Sequence, residues 1–153
     1  MAELDALNPN TLVDSEFSLF FTSASSDEIR ARLTASSYWS DVDFHEWSAH
    51  GGMWRIAPES GAVPGTRSAL SAVGYVASVR RDSIFLLSEL EGPLQSQGLQ
   101  MALLGALTLR TPARRRVILP VENAPIPLDL AHISTDLGRA ASMTYPRLAV
   151  VRE

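Results

Sequence analysis

Cysteine is absent, and with it disulfides, thiolate metal sites and thiol nucleophiles. Lysine is absent too: all 13 basic residues are Arg, a bias that GC-rich coding explains. No apolar run approaches ~20 residues, so no segment reads as a membrane-spanning helix. The first residues, Met1-Ala2-Glu3-Leu4-Asp5, are acidic and lack the basic start and apolar core of a secretory signal. A cytoplasmic chain is expected. Catalytic signatures are missing as well. There is no G-x-S-x-G, and the Gly-rich spots at Gly51-Gly52 and Gly61…Gly65 lack the Lys and spacing of a phosphate loop. No cofactor and no metal is expected.

What is present describes a globular chain. Hydrophobic residues make up 46% and charged residues 20%, a balance that supports a packed core rather than disorder. The 153 residues fit one domain, with residues 1–15 as a loose leader. Its centre reads strand, helix, strand. Residues 83–88 and 117–121 are short apolar runs suited to strands buried on both faces. Between them, residues 93–110 carry Leu94, Met101 and Leu104 at helical spacing, with Pro93 at the start and Thr111-Pro112 at the end. Gly98 and Gly105, seven apart, share one face of that helix and permit a close neighbour there.

Around this unit, residues 16–22 read as a strand. Ser25 and Glu28 have capping-box spacing for a helix over 26–35. Residues 41–47 alternate and turn at Gly51-Gly52 into a return strand, 53–57. Residues 58–68 are the longest irregular stretch. Residues 71–80 read as a strand in a hairpin with 83–88, residues 128–141 as a third helix and 147–152 as a final strand. The order β-α-β-β-β-β-α-β-α-β predicts an α+β (mixed α/β) fold: one mixed sheet, about three helices, partly ferredoxin-like.

Charge is uneven. Residues 1–46 hold nine acids and two Arg, whereas residues 47–153 hold eight acids and eleven Arg. An acidic half argues against nucleic acid and suits a basic protein surface. All three Trp lie between Trp39 and Trp54, among acids. Trp39, Asp41, Asp43, Glu46, Trp47 and Trp54 are therefore the expected protein-binding residues. They point to a small inhibitor or immunity-type neutraliser that meets a basic partner, with no role for nucleic acid or membrane. The alternation puts Asp41, Asp43, His45 and Trp47 on one face of the strand and Val42, Phe44 and Glu46 on the other. The alternative is an acid–base or metal-dependent enzyme, or a small-molecule binder, using Asp43, His45 and His50. Arg114-Arg115-Arg116 with Arg110 is the one basic cluster; it could meet phosphate, but its plainer role is a solvated turn at the C-terminal end of the 93–110 helix.

Overall fold

A computed structural model of the chain describes residues 8–35, 41–122 and 125–138. In chain order it contains α1 (Pro9–Asp14), β1 (Leu19–Thr22), α2 (Ser26–Thr34), β2 (Asp43–Ser48), β3 (Gly52–Ala57) and β4 (Gly61–Val63). There follow α3 (Ala69–Ser78), β5 (Ser83–Leu87), α4 (Gln97–Thr108), β6 (Arg115–Pro120) and β7 (Ser134–Gly138). Two 3-10 turns, Pro93–Gln95 and Leu128–Ile133, precede α4 and β7. The strands form one sheet in the order β4-β3-β2-β5-β6-β1-β7. The pairs β2–β5, β5–β6, β6–β1 and β1–β7 are parallel, and β3 and β4 extend the sheet antiparallel. This is the expected mixed sheet of the α+β class, but its parallel centre does not support the ferredoxin-like part of the expectation.

Helices cover both faces. Because strand side chains alternate, each central strand contributes to two cores. Phe85, Leu87, Val117, Leu119, Leu19, Phe21, Trp47 and Met53 pack with α3 and α4. Phe44, Ile84, Leu86, Ile118 and Phe20 pack on the other side with Leu12 and Val13 of α1 and Ile29 and Leu33 of α2. Crossover connections that place helices on both faces are what bury all five residues of β5.

Four expectations change. Most of the expected strand 71–80 lies in the helix Ala69–Ser78: Ala69, Ala72, Val73 and Val76 repeat at 3 and 4 residues, and Ser68 caps the start through its bond from the Ser71 N–H. That helix carries the chain from the sheet edge at β4 back to the centre at β5. Residues 128–138 are a 3-10 turn and a strand rather than a helix, because the free edge of β1 offers a ladder of backbone partners. The stretch 58–68 is less irregular than expected, since it contains β4. The expected loose leader, 1–15, contains a helix, and its residues 1–7 lie outside the described residues. Residues 9–14 form α1, whose Leu12 and Val13 are buried. The expected final strand, 147–152, lies outside the described residues.

The Arg run at the start of β6 explains how α1 and α3 are held. Successive residues of a strand point to opposite faces. Arg115 turns to one face and donates to the carbonyls of Ala77 and Val79 (3.2 and 2.7 Å) at the end of α3. Arg116 turns to the other and donates to the carbonyls of Leu12, Val13 and Ser15 (3.0, 2.9 and 2.8 Å) at the end of α1. Arg114 adds a bond to the Val13 carbonyl. Helix C-termini leave carbonyls without helical partners and carry partial negative charge, which guanidinium groups satisfy. Burial pushes both Arg115 and Arg116 below the ordinary arginine pKa.

Candidate interaction surface

The β2–β3 hairpin separates the aromatic and acidic residues of the sequence rather than gathering them. Trp47 points to the α3/α4 side. It is 1% exposed, and its indole N–H donates to the Thr66 carbonyl at 2.7 Å. The Thr66 hydroxyl donates to the Val63 carbonyl and accepts from the Met53 N–H, which ties the loop after β4 to the hairpin. Trp47 therefore belongs to the core and is closed to a partner. Trp54 points the other way and is 46% exposed. It lies opposite Glu46 in the antiparallel register. Trp39 lies outside the described residues.

The acids are dispersed as well. Asp41 is exposed. Asp43 is buried on the α3/α4 side and paired with Arg81 at 3.2 Å. Glu46 takes a two-point bond from Arg30 of α2, with Nη2 at 2.7 Å, and a third from the Ser88 hydroxyl at 2.9 Å. Asp27 shares the same Arg30. The Arg30 pKa is raised, first by its bond to Glu46. Asp14 pairs with Arg114, and Glu28 closes the capping box on Ser25. Much of the acidity of the N-terminal half is thus matched by Arg within the fold, which leaves less of it to attract a basic partner.

The hairpin tip is open. Gly52 has φ of 76°, a left-handed conformation that a side chain strains. A Cβ there would also meet the Thr66 hydroxyl at 3.2 Å. On one side of the tip a depression of about 130 Å³ is lined by Glu46, Ser48, Gly51, Gly52, Trp54 and Ile56. On the other a groove of about 450 Å³ runs from Gly51-Gly52 past Pro64 to Ser68 at the start of α3.

The residues of the enzyme alternative do not share one site. His45 is 1% exposed beneath α3, stacked on Phe85 with ring centres 4.8 Å apart. Its Nε2 lies 3.0 Å from the Tyr75 hydroxyl, and its Nδ1 is buried without a protein partner. Burial pushes its pKa down to about 4; Asp43 opposes that shift and Arg55 adds to it. His50 sits apart, exposed in the hairpin turn. Among the described residues no group of three or more His, Asp and Glu is placed to hold a metal ion.

The fold is one mixed sheet, and among the described residues its open hairpin surface carries one exposed Trp, Trp54. Compared with known proteins, the chain matches no family model, no curated protein and no solved structure. Two features of the hairpin were beyond sequence reasoning. The role of Thr66 depends on a loop closing back over 13 residues. The Arg30–Glu46 pair spans 16 residues, from a helix to a strand.

Proposed function

We propose that the chain is a protein-binding module anchored by Trp54. The observation that carries this reading is the half-exposed indole on β3, set beside a depression that Glu46 and Ser48 line. Single exposed apolar residues are ordinary. A Trp next to a depression with polar groups is the type of anchor that dominates protein interfaces. Asp27 and Glu46 share the single Arg30, which leaves one negative charge in excess, and the exposed Asp27 carboxylate favours a partner that brings a basic group to the rim. An inhibitor or neutraliser of such a partner is the narrower form of the reading. The buried Asp43 and Trp47 drop out of the contact set, Trp54, Glu46 and Asp27 form its centre, and the exposed Asp41 stays in it.

The test is capture of a partner from native extract by wild-type chain and by Trp54→Ala, with folding checked by thermal melting. A stoichiometric protein held by the wild type and released by Trp54→Ala, more readily as salt rises, supports the reading. Equal capture by both removes this surface from consideration.

A further inference from the structure

Two polar contacts tie the C-terminal end of α3 to the sheet, and one of them involves a titratable group. Arg115 of β6 holds the carbonyls of Ala77 and Val79. His45 of β2 meets the Tyr75 hydroxyl through Nε2 at 3.0 Å. The apolar contacts of the helix are made by small side chains, with Ala72, Val73 and Val76 as its buried residues. The start of α3 is held separately, by the bonds that Trp47 and Met53 make to Thr66 just before it.

A neutral imidazole suits this site and a charged one does not. The neutral ring has one N–H donor and one acceptor nitrogen. With its proton on Nε2 it donates to the Tyr75 oxygen and leaves Nδ1 a bare lone pair, which costs less when buried than an orphaned N–H. The imidazolium has two N–H groups, and among the described residues Nδ1 has no acceptor in reach. The groups that face the ring do not supply one. Asp43 lies two residues away on the same strand face, about 6.5–7 Å along the strand, and its carboxylate is engaged by Arg81. Arg55, across the β2–β3 ladder, is a like charge. Tyr75 is a phenol that burial keeps protonated. Neither α3 nor α4 carries a charged residue. On one side Phe85 stacks on the ring at 4.8 Å, from a strand whose five residues are all buried. On the other Tyr75 meets it edge-on at 5.3 Å and is itself only half-buried. The floor is the centre of the sheet, and the cover is the part that reaches solvent.

We infer that the His45–Tyr75 contact is a proton-operated latch: a proton taken up at His45 lifts the C-terminal end of α3 off the sheet, while the start of α3 and the rest of the fold stay in place. Lifting Tyr75 gives both ring N–H groups water to bond with and takes the charge out of its buried setting. The direction follows from linkage. The closed site holds the His45 pKa at about 4, against 6.5 for a free ring. The closed form is therefore at full strength above pH 6.5, and below that it weakens about tenfold per pH unit until pH reaches about 4. The latch does not rest on the Trp54 reading, because Trp54 lies on the opposite side of the sheet.

Amide hydrogen exchange on the full chain at pH 7 and pH 5, with each rate divided by that of an unstructured peptide at the same pH, tests the inference. Residues 75–79 should open about 20-fold more often at pH 5, while α2, α4 and the start of α3 change less. His45→Phe keeps the stack on Phe85 and cannot be charged, so it should abolish the difference; His45→Gln does the same where the larger ring disturbs the packing. Quickening spread evenly over α2, α3 and α4 overturns the inference, because it marks loss of the whole fold and not a latch. So does an α3 end that opens equally at both pH values, or one that still responds to pH in the neutral variants.

Discussion

The two faces of the sheet are equally well buried beneath their helices but finished differently outside. On the α1/α2 side the outward residues are charged and matched. Arg30 holds Glu46 and Asp27, and Arg114 holds Asp14. On the α3/α4 side the two helices themselves carry no charge, and the nearest exposed arginines, Arg67, Arg80 and Arg110, lie beyond their ends. Burial alone does not distinguish these faces, because both inner surfaces are apolar. Charge and glycine on the outer surfaces do. The same contrast recurs within single strands: the hairpin sends Trp47 into one core and Trp54 out on the other face, and β6 sends Arg115 to α3 and Arg116 to α1.

The largest effect should come from breaking the Trp contrast. Trp47→Ala empties a core site and removes the bond to Thr66, and should cost about 3–5 kcal/mol. Trp54→Ala, on the open face, should stay within about 0.5 kcal/mol. Urea unfolding of both variants checks this, and equal losses would contradict the assignment of the two rings.

His45 sharpens the comparison next, because it makes the α3 side the acid-sensitive one. It is held neutral in the fold with its pKa at about 4, against 6.5 when unfolded. Between those values the unfolded chain binds the proton and the native chain does not. Stability is therefore complete above pH 6.5 and falls as pH drops towards 4, by roughly 3 kcal/mol in total. His45→Phe should flatten that slope in denaturant titrations at several pH values. An unchanged slope would show that the sensitivity lies elsewhere.

The two Arg pins come third. Arg116→Met removes three bonds to carbonyls at the end of α1, where Val13 keeps its bond from Arg114, and Arg115→Met removes two at the end of α3. Each should cost about 1–3 kcal/mol, with amide exchange quickening first in α1 for one and in α3 for the other. Quickening in the same helix for both would break the assignment. The smallest effect belongs to Ser25→Ala, which removes the capping box of α2 and should cost about 1 kcal/mol in thermal melts.

Where the signal was local, the sequence was legible. The capping box at Ser25 and Glu28, the hairpin around Gly51-Gly52, the split of the 41–47 faces and the β5-α4-β6 unit all rest on neighbours a few residues apart. The stretch 71–80 misled because Val73, Tyr75, Ala77 and Val79 alternate while Ala72, Val73 and Val76 also repeat at helical spacing. Only its place between the sheet edge and β5 decides between the two. Leu130, Ile133 and Leu137 have helical spacing too, yet the open edge of β1 draws residues 134–138 into a ladder. For the Arg run a helix C-terminus was the right kind of partner, but the expected helix, 93–110, and the solvated turn were not: Arg115 and Arg116 are buried in β6 and serve α3 and α1. Which helices it serves was hidden, because the α1 carbonyls lie about 100 residues away in the chain. Grouping Trp47 with Trp54 was the main error at the candidate site. The alternation that put Trp47 beside His45 already separated it from Glu46, and the antiparallel register then sets Trp54 with Glu46.

The most direct test of the contrast between the faces is acrylamide quenching of tryptophan fluorescence in a Trp39→Phe chain to which Trp47→Phe or Trp54→Phe is added singly. The chain that keeps Trp54 should be quenched readily and the chain that keeps Trp47 should be protected. Equal quenching of the two would contradict the account.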